Sequence, residues 1–244
     1  MEGLPCIKYC GDSAVTIEFE NQITLEVNHK VIALQMQLAK EEIPGLIETV
    51  PTYRSLMVHY DPCICSYEAL CQNIQKAVKS LDCGITAKKN IISIPVLYGG
   101  DFGPDLDAVA AFEQTTPDEV IRRHTAHECY VYMLGFSPGN AYIGSEKRTF
   151  SVPRKPTPRL KIPKGAITIW ESQTTIFPME QPGGWNVIGN TPLNMFHPDA
   201  DHPFYLKSGD WVHFRSIGKT EYEQIAKQVE NGTYQPELIG QGVQ

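Results

Sequence analysis

The sequence has no apolar stretch near the roughly 20 residues that a membrane-spanning helix requires. Its opening residues, MEGLPCIKYCGDS, have neither the basic leader nor the apolar core of a secretory signal. The expectation is therefore a cytoplasmic protein with no membrane partner. A positive balance is also missing: 21 Lys and Arg face 28 Asp and Glu, for a net charge of −7. That argues against a general nucleic-acid binder. The chain contains no GxxxxGK[ST] phosphate loop, no Gly-x-Ser-x-Gly nucleophile elbow and no pair of histidines flanking a glutamate at metalloprotease spacing. The seven cysteines are odd in number. Cys63 and Cys65 are one residue apart, and Cys6 and Cys10 also miss the usual patterns, so free thiols are expected rather than disulfides or a metal site.

What is present is ordinary globular material, 42% hydrophobic and 20% charged. In the first third, Ile7–Cys10 and Ala14–Phe19 read as short strands around the turn Gly11-Asp12-Ser13. Ile23, Val27, Val31, Leu34 and Leu38 recur at helical spacing, and Pro44-Gly45 stops that helix. Ile47–Val50 and Ser55–Tyr60 read as two further strands. Ser66 caps a second helix with Leu70, Ile74, Val78 and Leu81 on its apolar face, ended by Asp82-Cys83-Gly84. The order β-β-α-β-β-α predicts an α+β domain over residues 1–89, with helices covering one sheet face. Residues 90–244 form the second expected domain. Asn90–Tyr98 is a strand, and Gly99–Pro104 a turn. Thr116-Pro117-Asp118-Glu119 is a helix start, with Thr as cap and Pro at the first position. Short β-type segments punctuated by Pro and Gly then run to Arg215, predicting a small barrel or sandwich. A last helix is expected from Thr220 to about Asn231-Gly232.

The densest Gly and Pro lie between Gly135 and Pro192: GFSPGNAYIG, VPRKPTPRLKIPKG, ESQTTIFP and QPGGWNVIGNTP. Loops of this kind carry function when a rigid scaffold holds them. The basic run is a local feature on an acidic protein and suits a focused anionic site. Arg154 and Arg159 can each fork onto a carboxylate or phosphate. On an extended segment Arg159 and Lys161 share one face and Leu160 and Ile162 the other, which fits a strand lining a groove. A solvated, Lys- and Pro-protected edge strand fits the same pattern. Lys155 reads as solvent-exposed. Gln173 and Thr174 enter an apolar strand and need partners there: a ligand, or backbone in the case of Thr174. His124 ends its helix, where it can act as a dipole partner or as a base. Phe136, Tyr142 and Trp185 are ligand walls or packed core. His197, His202 and His213 read as surface or loop residues.

Taken with YCGDSA (Tyr9–Ala14) and VPTYRSLMVHYDP (Val50–Pro62), three segments carry a specific likeness over nearly the whole chain. They are MLGFSPG (Met133–Gly139), PRKPTPR (Pro153–Arg159) and QPGGWNVIGNTP (Gln181–Pro192). The sequence resembles the KipI family, also known as the B-type component of 5-oxoprolinase or allophanate hydrolase subunit 1. The resemblance implies an N-terminal α+β domain followed by a cyclophilin-like β-barrel domain. It implies a KipA partner, the C-type component of 5-oxoprolinase, working with an A-type component in ATP-dependent opening of the 5-oxoproline lactam to glutamate. ATP with magnesium would then occupy a non-Walker site shared with the partner, and this chain alone would be inactive. It further implies His124 and Arg159 as catalytic residues and Arg154, Gln173, Phe136, Tyr142 and Trp185 as residues binding a small anionic amide. Related sequences form the carboxyltransferase part of urea carboxylase. Others inhibit a sporulation sensor histidine kinase, a regulatory alternative for this chain. Prolyl isomerisation would rest on the barrel alone, and fold analogy is a poor warrant for activity. The chain departs from the family pattern at Ser137, Asn140, Ala141 and Ser145. It departs again at Glu171-Ser172, where Gly-Gly is frequent, and at Thr175, where glycine is common.

Overall fold

The computed structural model describes residues 5–81, 89–145, 147 and 149–242. The chain forms two compact units, residues 1–87 and 88–244.

In the first unit β1 (Cys6–Tyr9), β2 (Ala14–Glu18), α1 (Leu25–Lys40), β3 (Leu46–Pro51), β4 (Ser55–Tyr60) and α2 (Tyr67–Lys79) follow the expected order. The sheet is antiparallel, in the order β1-β2-β4-β3. Alternation along β2 and β4 points Val15, Ile17, Leu56, Val58 and Tyr60 at the helices, where they meet Val27, Val31, Leu34, Leu38, Leu70 and Ile74. Burying each such side chain contributes roughly 1.5–3 kcal/mol. Thr24 and Ser66 cap the two helices by accepting from the N–H of Val27 and Ala69. The fully buried Asn28 donates to the carbonyls of Thr52 and Tyr53, tying α1 to the β3–β4 turn. The expected stop at Asp82-Cys83-Gly84 lies outside the described residues.

The second unit begins with β5 (Lys89–Tyr98), a single 3-10 turn (Gly100–Phe102), α3 (Leu106–Phe112) and α4 (Pro117–Thr125). There follow β6 (Cys129–Leu134), β7 (Ala141–Gly144), β8 (Arg159–Ile162), β9 (Ala166–Trp170), β10 (Gln173–Ile176), β11 (Gln181–Gly183) and β12 (Asn186–Asn190). The unit closes with β13 (Trp211–Ser216), α5 (Lys219–Glu230) and β14 (Leu238–Gly242). The strands β12-β9-β10-β7-β6-β13-β5 form a sheet that closes into a barrel, because Gly189 and Asn190 of β12 pair with Tyr98 and Leu97 of β5. Among the described strands only β13 and β5 run parallel; β14 adds to the free stretch of β5. Closure removes the exposed edges of the barrel. β8 and β11 form a separate two-stranded ladder.

The two-residue period sorts the barrel side chains. Ile94, Val96, Val131, Ile143, Ile167, Ile169, Ile176, Ile188, Val212 and Phe214, drawn from all seven strands, meet in one interior cluster. The alternate residues Tyr142, Thr168, Trp170, Gln173, Thr175 and Phe177 face outward.

Three details differ from expectation. The helix α3 and the strand β14 carry too little periodicity to be read from sequence. The last helix starts at Lys219, with Gly218 as a cap that makes no side-chain bond, so Thr220 is inside the helix rather than its cap. The six described cysteines other than Cys83 are free, and among the described residues no group of three or more His, Cys, Asp or Glu is arranged for a metal. No helix among them is long and apolar enough to cross a membrane.

Candidate functional site

A cavity of about 370 Å³ lies against the outer face of the barrel wall. Its floor is Tyr142 of β7 and Thr175 of β10, directly opposite each other, with Phe177 beyond. The GFSPGN loop supplies Phe136 and Asn140, the basic run supplies Arg154 and Pro158, and the QPGGW turn supplies Pro182, Gly183, Gly184 and Trp185.

Each wall has a local cause. The loop between β6 and β7 turns tightly, with the Gly135 N–H donating to the Asn140 carbonyl and the Asn140 N–H to that of Ser137. Gly139 takes φ +82°, and a Cβ there would sit 2.9 Å from the Met195 carbonyl oxygen, so only glycine fits. Phe136 is 72% exposed and also holds a positive φ of 75°, an unusual state for a bulky residue. Strain of this kind collects at binding sites. Across the cavity the Lys155 N–H donates to the Gly184 carbonyl (2.7 Å), which pins the basic run to the QPGGW turn.

Arg154 carries the positive charge of the cavity. Its guanidinium carbon stands 4.1 Å from the centre of the Trp170 ring and 5.8 Å from that of Trp185. Stacking on an indole orients the planar fork and leaves its in-plane N–H groups available for an anion. Trp185 packs edge-on to Tyr142, with ring centres 6.1 Å apart. Burial raises the phenol pKa of Tyr142, against an opposing pull from Arg154, so its hydroxyl stays protonated.

Phe136, Tyr142, Arg154 and Trp185 thus share one cavity. Arg159, Gln173 and His124 do not line it. Arg159 donates from both terminal nitrogens to Asp105, at 2.5 and 2.8 Å. Lys155, expected in solvent, donates to the same carboxylate at 2.6 Å. Asp105, 3% exposed, also accepts from the Val187 N–H at 2.8 Å. Burial alone would raise this carboxyl, but the bonds from Arg159 and Lys155 outweigh it and leave the pKa below the usual value. A guanidinium with its fork closed on a buried carboxylate braces the strap Arg154–Arg159. Nor does the expected alternation hold along β8: Leu160 is 88% exposed while Ile162 is buried, and Lys161 pairs with Glu180.

Gln173 lies on the same face as Thr175 but a rung further on, opposite Trp170 and Gly144. His124 occupies the other side of the wall. It is 4% exposed, its ring centre 4.4 Å from that of the tilted Phe214 ring, with Nδ1 2.7 Å from the Tyr98 hydroxyl and Nε2 3.1 Å from Thr174 Oγ1. Thr174 therefore finds its partner in this imidazole, not in backbone. Burial pushes the ring pKa down to about 3, so His124 is neutral at ordinary pH. The space beside it is only about 10 Å³, roughly one water.

Sequence reasoning missed Asp105, Asn140 and Thr175 as contributors. Asn140 and Thr175 stood out only as departures from a pattern. Asp105 gave no signal, because its partners lie 50 and 54 residues away.

Residues 5–206 match the carboxyltransferase domain, subdomain C and D. The B subunit of 5-oxoprolinase from Bacillus subtilis (strain 168) is 38% identical over 88% of this chain and 94% of its own length. That of Escherichia coli O157:H7 is 34% identical over 84% and 92%. Among solved structures, TTHA0988 superposes with a TM-score of 0.75 at 31% identity, covering 84% of this chain but only 40% of that one. The Kluyveromyces lactis urea amidolyase matches in fold, with a TM-score of 0.79 at 18% identity over 96% of this chain and 16% of that one. With a match over most of its length and relatives above 30% identity, the chain belongs to the carboxyltransferase subdomain C and D family, alongside the 5-oxoprolinase B subunits.

Proposed function

We propose that this chain is the B subunit of an ATP-dependent 5-oxoprolinase and that the outer-face cavity holds the lactam substrate. The observation that carries this reading is Arg154 stacked on Trp170 at the edge of a small aromatic cavity, in a chain 34–38% identical to 5-oxoprolinase B subunits. A carboxylate on a flat five-membered ring fits such a site: the guanidinium takes the charge, and Trp185, Tyr142 and Phe136 take the ring faces.

Adenosine triphosphate enters as a second substrate. Its phosphates need several cations or a nest of backbone N–H groups. The cavity offers one guanidinium, because Arg159 and Lys155 are engaged by Asp105. ATP and any magnesium it brings therefore bind elsewhere, on a surface completed by components of the A and C types. The chain spans less than half of the longer TTHA0988 chain, which is consistent with a domain that works beside further polypeptide. This chain's own contribution is to bind and orient the lactam and to shield it from water. Phosphorylation of an amide oxygen makes the carbonyl electrophilic, a chemistry that depends on such positioning.

The test is co-expression with A- and C-type components and assay of 5-oxoproline-stimulated ATP hydrolysis. Wild type should be active, and Arg154→Ala should lower turnover at least about tenfold at unchanged melting temperature, since a lost charge-assisted bond is worth ~1.5–3 kcal/mol. Full activity in Arg154→Ala would remove this cavity from the reaction.

A further inference from the structure

The floor of the cavity contains two buried polar side chains that the carboxylate-binding role of Arg154 leaves unused. Asn140 is 2% exposed and Thr175 is 4% exposed, and both line the cavity. Thr175 Oγ1 donates to Asn140 Oδ1 at 3.0 Å, and Asn140 Nδ2 donates to the Gly135 carbonyl at 3.1 Å. A carboxamide nitrogen has two hydrogens and a hydroxyl oxygen two lone pairs. These bonds consume one hydrogen of Asn140 and the only hydrogen of Thr175. One N–H donor and one hydroxyl acceptor remain side by side. Beside them on the same sheet face, directly across from Thr175, Thr168 has a fully buried hydroxyl without a hydrogen-bond partner among the described residues. The polar side chains on this sheet face are therefore not saturated by one another.

We propose that Asn140 and Thr175 are the specificity-determining pair of this site and read the edge of a cis amide. An amide held cis presents its N–H and C=O on one edge; a trans amide presents them on opposite edges. A small lactam is cis by ring closure. Its carbonyl accepts from Asn140 Nδ2 and its N–H donates to Thr175 Oγ1, while Arg154 holds a carboxylate on the same ring. A lactone, with oxygen in place of N–H, sets a lone pair against the Thr175 oxygen, and an N-methyl lactam has no hydrogen to give. A buried group left without its partner costs enough to weaken binding roughly 10- to 100-fold. The pair rests on the lactam reading of the cavity given above.

The experiment measures calorimetric affinities of the full chain, alone and with its partner proteins, for 5-oxoproline, its lactone isostere and its N-methyl derivative. These are repeated with Thr175→Val and Thr175→Ser. The expected result is a preference of wild type for the lactam of at least about tenfold over both analogues. Thr175→Val should lose that preference while keeping the affinity for the lactone, and Thr175→Ser should restore it. Equal affinity of wild type for lactam and lactone overturns the pair but leaves the cavity assignment standing. A preference retained in Thr175→Val does the same. If Thr175→Val does not fold, the wild-type ratios and the Ser variant decide alone. No binding of 5-oxoproline to wild type or its complex overturns both the pair and the lactam reading.

Discussion

Replacing Asp105 by Ala should cost the barrel unit stability and loosen the cavity wall together. The carboxylate is 3% exposed and takes four hydrogen bonds, from both terminal nitrogens of Arg159, from Lys155 and from the Val187 N–H. Breaking a fully buried pair costs about 3–5 kcal/mol. The side chains of Arg159 and Lys155 are 30% and 28% exposed, so they regain water and the figure falls to about 2–3 kcal/mol. The unit comprises residues 88–244, a size at which each kcal/mol moves the melting temperature by about 2–4 °C. Differential scanning calorimetry at pH 7 should therefore show a loss of roughly 5–10 °C. Asp105→Asn keeps an acceptor for Val187 and should lose about half as much. The acid limb supplies an independent check. The folded pKa of Asp105 lies below its unfolded value, so its contribution is complete above about pH 4 and is lost as pH falls through the folded value. Wild type should destabilise through that window more steeply than Asp105→Asn. Because Lys155 adjoins Arg154, releasing the strap should also shift the tryptophan emission set by Arg154 over Trp170. A melting temperature within about 1 °C of wild type for Asp105→Ala, with unchanged emission, would refute the brace; ~1 °C is well under the shift from 1 kcal/mol.

His124→Gln should flatten the pH dependence of urea unfolding between about pH 6.5 and 4. The folded imidazole stays neutral down to about pH 3 while the unfolded one protonates below its ordinary value, so wild type loses about 1.4 kcal/mol per pH unit as pH falls. An NMR titration of the His124 ring with a midpoint near its unperturbed value would contradict this. Phe136→Gly relieves a positive φ but frees the unfolded chain, so its melting temperature should change little while 5-oxoproline affinity falls severalfold; undiminished affinity would take Phe136 out of the ligand wall. Glu171→Gly should raise the melting temperature by no more than about 2 °C in a thermal scan, because Glu171 sits at φ +49° in the β9–β10 turn and the roughly 1 kcal/mol relieved there is largely offset by the greater freedom of glycine in the unfolded chain.

Much of the fold was legible because the signals were local. Ser66 and Thr116 were read as helix caps and do cap helices, whereas the first helix was read from Ile23 and is in fact capped by Thr24. The β-type segments between Gly and Pro became strands. The departure at Glu171-Ser172 was visible as a missing glycine, and its consequence is the positive φ at Glu171. The cavity was legible as a set of loops, since the GFSPGN, PRKPTPR and QPGGW segments all line it. Ion-pair partnership was not legible. Charge alone made Arg154 and Arg159 equivalent; Asp105, more than 50 residues before Arg159, takes one of them and leaves the other to the cavity.

The same loss of information explains why His124 and Arg154 looked like parts of one site. Along β10 the residues Gln173, Thr174 and Thr175 alternate across the barrel wall, and a single-residue step moves a side chain from one face to the other. Thr174 points inward to the imidazole; Thr175 points outward to Asn140 and the cavity. Composition gives no hint of which face of a closed barrel a ligand uses, since both faces of β10 carry a threonine. What decides it is filling. The interior is packed by aliphatic side chains from seven strands and plugged by a neutral His124, whereas the proline-rich loops over the outer face leave a cavity beneath them. This barrel's lumen is filled by side chains, and the cavity lies where loops span its outside. Chemistry on this domain is therefore expected at the loops, on the face where Arg154, Asn140 and Thr175 converge.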